Sequence, residues 1–300
     1  MVDKKIFKTM KAIVFGGSGF LGSHVAEELA RRNYEVTVVD RNKIVWSEKK
    51  IKFIKSDILN YKKLSKIIKK NTIVYNFAAI ADIGDSYKNP LKTIEINILG
   101  NSRILALCAK NKVKKYIFAS TIYVYSQQGG FYRASKQSAE ILIDEFNRVY
   151  KIPYVILRYG SIYGLRTNLK NGLYKIVYDA LNLNKLIYRG TKKAIRSYIH
   201  VNDAAKISVD VLQKKFENNR VLVSGNSSIK IISLLKILGK ILKIKSNPLF
   251  LNQTQKGHYD KSPYSTKKEK SFNFVPKKPL GINEGLKNLI EDIKSKIKTR

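Results

Sequence analysis

The sequence predicts an α/β fold, in which a doubly wound parallel sheet is joined to a smaller C-terminal lobe. Over the first half of the chain, short β-branched apolar runs alternate with segments of helical periodicity, the pattern of parallel strands linked by crossover helices. The first apolar run ends in three glycines spaced by three residues, Gly16, Gly19 and Gly22. Beyond Gly160 the alternation becomes irregular. This change predicts a separate lobe laid over the carboxyl ends of the strands.

The predicted elements follow the chain in a regular order. Strands are predicted at residues 11–15, 35–40, 52–55, 72–77, 115–120 and 153–158. Helices are predicted at 20–32, 60–70, 90–110, 133–150 and 173–181. Two short helices are expected near 203–215 and 232–242, a final amphipathic helix at 282–296, and a lysine-rich loop at 257–278.

The glycine-rich turn after the first strand has the spacing of a dinucleotide-binding site. Gly16 permits the tight turn, Gly19 lets the backbone approach a pyrophosphate, and Gly22 lets the helix pack closely on the strand. The second strand ends in Asp40, about twenty residues further on, where a carboxylate binds the adenosine ribose. A carboxylate there repels the extra phosphate of NADP, so NAD is predicted as the cofactor. The neighbouring Arg41 could accept that phosphate, which leaves NADP as the alternative.

The net charge is strongly positive, with 58 Lys and Arg against 22 Asp and Glu and a formal charge of +36. Such a field attracts anions, and nucleic acid is one class of partner to consider. The lysines, however, are spread over the whole chain and accompany abundant Ile and Asn, which is typical of a compositionally biased genome. Nucleic acid is therefore not the predicted partner, although the field would still draw in an anionic substrate.

Length and cysteine content narrow the class of protein further. A chain of 300 residues allows one large or two modest domains. Cys108 is the single cysteine, so no intrachain disulfide is expected. No apolar run has the length of a membrane span or follows a charged leader. These observations predict a cytoplasmic protein without a membrane partner, and no metal ligands are assigned.

A tyrosine and a lysine with catalytic spacing lie in the middle of the chain. Tyr132 and Lys136 are one helical turn apart, and a nearby ammonium group is expected to lower the pKa of a tyrosine so that it can act as general base and acid. The same spacing occurs in three pairs, Tyr132/Lys136, Tyr188/Lys192 and Tyr264/Lys268. Only the first pair opens a helix that follows the fifth strand. That strand ends in Ser120 and Thr121, whose hydroxyls either bond the substrate oxygen or simply cap the strand.

Together these motifs resemble the extended short-chain dehydrogenase/reductases, and among them the NAD-dependent nucleotide-sugar epimerases and dehydratases. The resemblance runs from about Lys11 to Leu289 and rests on residues 16–22, 56–58, 76–79, 97, 120–121, 132–136, 157–164 and 196–203. It implies a Rossmann domain for NAD at residues 1–165 and 197–225, and a substrate-binding lobe at 166–196 and 226–300. It also implies a homodimer formed through the helices at 90–110 and 133–150.

The resemblance assigns roles to individual residues. Tyr132, Lys136 and Thr121 are the implied catalytic residues, and Lys136 also binds the nicotinamide ribose. Arg196 is expected to grip the diphosphate of the substrate, whose oxygen Thr121 contacts. His200, in the same motif as Arg196, is expected to pack rather than to catalyse. The remaining implied cofactor contacts are Gly16, Gly19, Phe20, Leu21, Gly22, Asp40, Asp57, Ile58, Ala78, Ala79 and Asn97.

Several positions depart from the family pattern. Phe15, Ser161 and Ser197 stand where Thr, Asn and Asp are common, and the segment between Tyr125 and Tyr132 is short. The sugar 4,6-dehydratases carry an Asp-Glu pair directly after the catalytic Thr, because elimination needs an acid and a base.

That pair is replaced here by Ile122 and Tyr123. The sequence therefore predicts a nucleotide-sugar epimerase, acting at C4 like UDP-glucose 4-epimerase by transient oxidation and hydride return. A nucleotide-sugar dehydrogenase or reductase is the alternative. A non-catalytic RNA-binding or regulatory protein is the alternative of another class.

Overall fold

A parallel sheet with helices on both faces forms the centre of the molecule, in a computed structural model that describes residues 9–46, 51–252, 257–258, 272–273 and 278–298. In chain order the strands are β1 (Lys11–Phe15), β2 (Glu35–Asp40), β3 (Ile51–Lys55), β4 (Ile73–Asn76), β5 (Lys115–Thr121), β6 (Tyr154–Tyr159), β7 (Ser161–Tyr163), β8 (Ile187–Tyr188), β9 (Ile195–Arg196), β10 (Tyr198–His200), β11 (Asn219–Val223), β12 (Ile229–Lys230), β13 (Leu249–Phe250) and β14 (Phe272–Asn273).

Ten α-helices occur among the described residues. They are α1 (Phe20–Arg31), α2 (Tyr61–Ile67), α3 (Ile83–Lys88), α4 (Pro90–Ile94), α5 (Asn101–Lys110), α6 (Gly130–Tyr150), α7 (Gly172–Leu183), α8 (Val201–Asp210), α9 (Ile231–Leu242) and α10 (Ile282–Lys298). A π-helical segment, Glu95–Gly100, joins α4 to α5.

The central sheet has eight strands in the order β14-β11-β6-β5-β4-β1-β2-β3, and all of its pairs are parallel. The chain winds outward in one direction from β1 to β3 and in the other from β4, so the carboxyl ends of β1 and β4 open a crevice between them. Phe15 at the end of β1 is in register with Val39 of β2 and with Asn76 of β4. The predicted doubly wound fold is confirmed.

Two apolar layers cover the sheet, and a third apolar cluster lies in the C-terminal lobe. One layer packs α1 and α8 against the sheet through residues such as Val25, Leu29 and Ile207. The opposite layer includes residues of α2, α5 and α6. The third cluster draws most of its buried leucines and isoleucines from α7, α9 and α10. The lobe therefore has an apolar core of its own beside the crevice.

The structure differs from the predicted elements in several places, among them the short helix α3 and the short strands of the lobe, which were not predicted. The helix predicted at 90–110 contains the π-helical segment, which hydrophobic periodicity does not reveal. The helix expected at 203–215 ends at Asp210. Strand β11 was not predicted, because its apolar run is only a few residues long. Within the lysine-rich stretch 257–278, residues 272–273 form β14 rather than a loop, and most of the stretch lies outside the described residues.

Among the helices that the structure describes, none is long and apolar enough to span a membrane.

Candidate active site

The turn between β1 and α1 is a backbone cradle. Gly16 has a φ of +74°, and a Cβ built on it would lie 2.6 Å from the backbone nitrogen of Ala78. A Cβ on Gly22 would lie 2.3 Å from the carbonyl oxygen of Gly16. A Cβ on Gly19 would meet only that same oxygen, at 3.2 Å, so this part of the turn faces open space. Because the positive end of the α1 dipole begins here, the cradle fits the pyrophosphate of a dinucleotide.

A cavity of about 220 Å³ continues from the cradle past the end of β2. The Asp40 carboxylate is held at its edge by the backbone N–H groups of Ser18, at 3.1 Å, and Asn42, at 3.0 Å. Arg41 Nη1 lies 3.7 Å from Asp57 Oδ2. The predicted cofactor contacts Asp40, Asp57, Ile58, Ala78 and Ala79 all line this cavity. These side chains fit the adenosine half of NAD.

Asn97 has a different place from the one expected. It lies in the π-helical segment, is buried, and lines neither of the two cavities. Its Nδ2 donates to the carbonyl oxygen of Ile80 at 3.0 Å and to Ser135 Oγ at 2.9 Å, and its Oδ1 accepts from the Ile80 N–H at 2.8 Å. Asn97 thus ties the loop after β4 to α6. Its amide is committed to these protein partners, so a direct contact of Asn97 with the cofactor stays a prediction.

The predicted catalytic residues meet in a cavity of about 630 Å³ on the other side of the cradle. Thr121 ends β5, and Tyr132 and Lys136 lie on the first turns of α6. Tyr132 and Thr121 both line this cavity, and the Thr121 side chain favours the ionised form of Tyr132. Lys136 Nζ donates to the Ala119 carbonyl oxygen at 2.7 Å and lies 6.0 Å from the centre of the Tyr132 ring. The cradle residues Gly16, Gly19, Phe20, Leu21 and Gly22 line the same cavity.

The pKa values of Tyr132 and Lys136 differ from the expectation that Lys136 lowers the pKa of Tyr132. Burial raises the pKa of Tyr132 to about 12, against the opposing effect of the Thr121 side chain. Burial also lowers the pKa of Lys136 to about 7, against the negative charge of Glu140. The predicted lowering of the Tyr132 pKa by Lys136 is therefore not found. Desolvation dominates here, and the Lys136 ammonium group binds the Ala119 carbonyl instead.

A buried ionic network supports the catalytic strand from behind. Glu140 accepts a hydrogen bond from Ser120 Oγ and pairs with Arg158 Nη2 at 2.7 Å. The Arg158 guanidinium also lies 4.6 Å from the centre of the Tyr125 ring. The network joins β5, β6 and α6. Sequence analysis missed it, although Glu140 follows Lys136 by one helical turn and so shares its face of α6.

The lobe side of the larger cavity is cationic. Arg196 on β9 lines it, with its Nη2 3.5 Å from Tyr188 Oη. Lys170, Lys175 and Arg189 line the same cavity, and Arg189 pairs with Asp179 at 2.5 Å. These side chains fit an anionic group at this end.

Three positions that stand out in the sequence have mainly structural contacts. Ser197 Oγ lies 2.8 Å from Ser228 Oγ, and Phe15 is fully buried. His200 Nδ1 accepts from the Asn202 N–H at 3.3 Å, and burial lowers the pKa of His200 to about 4. Its ring packs edge-on against Tyr163, with the ring centres 5.3 Å apart. These contacts agree with the packing role expected for His200.

Comparison with known protein families decides the class of this site. Residues 12–225, most of the chain, match the NAD dependent epimerase/dehydratase family. The chain belongs to this family. The resemblance inferred from the sequence is confirmed, and so is NAD as the cofactor, since the family is defined by its dependence on NAD. An enzyme of the epimerase/dehydratase class is likewise supported.

Individual relatives in the family differ in their reactions. A dTDP-D-glucose 4,6-dehydratase of Dictyostelium discoideum is 30% identical over 281 residues, which cover 81% of this chain and 64% of that protein, a little less than two thirds of its length. A putative UDP-glucose 4-epimerase of Methanocaldococcus jannaschii is 28% identical over 312 residues, which cover 96% of this chain and 99% of that protein.

Solved structures share the fold. A UDP-glucose 4-epimerase from Thermotoga maritima, crystallised with UDP-glucose, has a TM-score of 0.82 at 24% identity and covers 96% of this chain and 100% of its own. A UDP-glucuronic acid 4-epimerase from Bacillus cereus, in complex with UDP-glucuronic acid and NAD, has a TM-score of 0.81 at 24% identity, with coverages of 95% and 99%.

Proposed function

We propose that the protein is an NAD-dependent nucleotide-sugar 4-epimerase acting on a UDP-sugar. The observation that supports this most directly is the meeting of Thr121, Tyr132 and Lys136 in one cavity beside the glycine cradle, without an acidic pair after Thr121. When bound, NAD supplies the hydride acceptor for oxidation of the sugar and the hydride donor for its reversal.

The side chains of the chain handle the proton. Tyr132 Oη takes the proton of the sugar hydroxyl as the carbon is oxidised and returns it to the keto oxygen on reduction. Thr121, which lines the cavity with Tyr132, orients the same substrate oxygen. A pKa of about 12 favours the phenol form of Tyr132, which is the form that returns the proton to the keto oxygen.

The residues after Thr121 favour epimerisation over elimination. Loss of water needs an acid at one carbon and a base at its neighbour. Ile122 is buried in an apolar cluster with Tyr125 and Leu222, and it offers no proton. A keto sugar therefore returns to the hydroxyl form, and it becomes the epimer if it turns over in the cavity first. The cavity of about 630 Å³ is within the range of about 300–1,000 Å³ typical of ligand sites.

The cationic end of the cavity supports a nucleoside diphosphate as the anchoring group. Arg196 offers a planar fork of donors to phosphate oxygens, and Lys170 and Lys175 add positive charge nearby. The solved neighbours that bind UDP-glucose and UDP-glucuronic acid point to UDP as the nucleotide. Nucleic acid is not a partner in this proposal, and a cytoplasmic location stays a prediction.

A homodimer is part of the proposal. Apolar side chains are exposed on α4, on the π-helical segment and on α6, namely Leu91, Ile94, Leu99, Ile141, Val149 and Tyr150. These helical segments lie side by side. In a homodimer, α6 and the helical stretch formed by α4 and the π-helical segment would each meet their counterparts in the second subunit. The resulting four-helix interface would bury these side chains.

Product analysis tests the proposed reaction. The purified protein is incubated with UDP-glucose, UDP-galactose and their uronic and N-acetylated counterparts, and products are separated by chromatography. We expect formation of the 4-epimer without net accumulation of NADH. Tyr132→Phe should reduce kcat by about 10²–10⁴-fold while NAD binding stays unchanged, because it removes one oxygen and little volume. Net NADH formation would favour the dehydrogenase, and a dehydrated product or full activity of Tyr132→Phe would contradict the proposal.

A further inference from the structure

A tyrosine and a histidine that are distant in sequence meet on the wall of the larger cavity. Tyr123 Oη lies 3.1 Å from His258 Nδ1, and the two rings are edge-on with their centres 6.2 Å apart. Tyr123 also packs edge-on against Tyr132, with the ring centres 6.4 Å apart. All three side chains line the cavity. The pair is therefore next to the group that serves the reacting carbon.

Close backbone approaches hold both members of the pair. Gly129 has a φ of +103°, and a Cβ on it would lie 2.9 Å from Tyr123 Cδ1. Gly257 has a φ of +87°, and a Cβ on it would lie 2.9 Å from Ile83 Cγ2 and 3.0 Å from a ring carbon of Tyr87. The short segment after Tyr125 and the turn before His258 thus both need glycine at the point of contact. These close contacts fix the backbone beside Tyr123 and beside His258.

The pair can both donate and accept hydrogen bonds. His258 keeps part of its surface open to solvent; desolvation of the rest, and next the positive charge of Arg196, lower its pKa, against the charge of Asp82. In a hydrogen bond between a neutral imidazole and a phenol, either group can be the donor and the other the acceptor. Tyr123 is also linked to the catalytic residues, because its N–H donates to Thr121 Oγ1 at 3.3 Å.

We propose that Tyr123 and His258 form one hydrogen-bonding unit that binds a sugar hydroxyl beside the carbon that Tyr132 serves. The inference rests on the proposed nucleotide-sugar substrate and adds the part of the sugar that is recognised. The position is the one where the dehydratases that the sequence resembles carry the second acid of their pair. Here it holds a group for binding in place of a group for elimination.

Deoxy substrates combined with single substitutions test the unit. Steady-state kcat/KM is measured with the UDP-hexose, its 3-deoxy analogue and its 6-deoxy analogue, for the unmodified protein and for Tyr123→Phe. In the unmodified protein, kcat/KM should be about three- to tenfold lower with one of the two analogues than with the full UDP-hexose, which corresponds to the loss of one neutral hydrogen bond. With the full UDP-hexose, the kcat/KM of Tyr123→Phe should be reduced by the same factor. With the affected analogue, the kcat/KM of Tyr123→Phe should equal that of the unmodified protein. The analogue affected identifies the hydroxyl.

Further variants separate binding from a purely structural effect. His258→Ala should behave like Tyr123→Phe, and His258→Asn should recover part of the loss, because its amide oxygen can replace Nδ1 as an acceptor. Affinity for UDP alone should be unchanged in all three. Tyr61→Phe, at an exposed tyrosine on α2, is the matched control and should leave every value unchanged.

Two results would overturn the inference. One is that Tyr123→Phe and the unmodified protein show the same ratio of kcat/KM between the full UDP-hexose and each analogue. The other is a loss of UDP affinity that accounts for the whole effect. Dissociation constants measured by calorimetry in a Tyr132→Phe background give the same comparison without turnover. If the unmodified protein binds the UDP-hexose but does not form an epimer, the proposed reaction fails while the inference is still tested.

Discussion

At the scale of single residues, desolvation determines the protonation states in the cavity. Burial raises the pKa of Tyr132 to about 12 and lowers that of Lys136 to about 7, so the neutral forms of both are favoured in the folded protein. A charged form of either residue then has to be stabilised by a partner. For Lys136 the partners are the Ala119 carbonyl and the negative charge of Glu140.

The shifted Lys136 pKa predicts a pH dependence of stability. Between pH about 7 and the usual lysine pKa of 10.5, the unfolded chain holds a proton that the folded chain lacks, so folded stability rises with pH there. Below pH about 7 both states are protonated, and the full penalty for the buried charge remains. Lys136→Met removes the penalty.

The Tm of Lys136→Met relative to the unmodified protein should therefore be higher at pH 6 than at pH 9, measured by thermal unfolding in the same buffers. The same variant should lose activity at both pH values, because it also removes the side chain that is proposed to bind the nicotinamide ribose. A Tm difference that does not change with pH would show that Lys136 is not desolvated as described.

At the scale of elements, the crevice is held in shape by contacts between strands and helices distant in sequence. The Asn97 amide ties the loop after β4 to α6, and Glu140 with Arg158 ties β5 and β6 to the same helix. Glu140 and Arg158 are both buried. The catalytic turns of α6 are therefore fixed on both sides by polar bonds that only the assembled sheet can form.

Breaking the Glu140–Arg158 pair should be strongly destabilising. Arg158→Met leaves the Glu140 carboxylate buried without this partner, and removal of one member of a buried pair costs about 3–5 kcal/mol. Glu140→Gln should cost a similar amount. The double variant should cost less than the sum of the two, because neither buried charge is then left alone. Urea unfolding measures the free energies; strict additivity would mean that the two residues do not act as a pair.

The exposed apolar face of α4, the π-helical segment and α6 predicts self-association. Ile141 has 64% of its surface exposed and Leu91 81%, values that are unusual for side chains of this size on adjacent helices. The protein should run as a dimer in light scattering coupled to gel filtration. Ile141→Asp with Leu91→Asp should shift it to a monomer, while Val45→Asp, at another exposed apolar residue, should not. A monomeric unmodified protein would contradict this prediction.

At the scale of the whole molecule, the net charge of +36 acts on the arrival of the substrate, whereas the cationic end of the cavity acts on the bound substrate. The overall field raises the rate at which an anionic substrate arrives, and salt screens it. Arg196 acts at contact distance, on the bound diphosphate. The two effects can therefore be separated by mutation at low and high salt.

Arg196→Ala should raise KM by about ten- to a hundredfold, since a charge-assisted contact is worth roughly 1.5–3 kcal/mol. The increase should persist at low salt. Lys294→Ala, at an exposed residue of α10, is the control and should change KM little. For the unmodified protein, added salt should lower kcat/KM modestly. Unchanged diphosphate affinity in Arg196→Ala, together with tight and salt-sensitive RNA binding, would exclude a nucleotide-sugar substrate.

The sequence by itself determined the features that depend on neighbouring residues. The glycine spacing predicted the cradle, the alternation of apolar runs predicted the parallel sheet, and the i, i+4 spacing placed Tyr132 and Lys136 on one face of a helix. Each of these follows from backbone geometry within a few turns of chain. For the same reason the cofactor, which binds that local motif, could be predicted.

The tertiary structure alone decided what depends on packing between distant segments. Desolvation of Tyr132 and Lys136, the internal bonds of Asn97, the Glu140–Arg158 pair and the contact of Tyr123 with His258 across 135 residues all arise from neighbours supplied by other elements. The distance and burial that set these interactions exist only in the folded chain. Sequence spacing encodes which residues share a turn, whereas their dielectric surroundings and long-range partners come from the assembled fold.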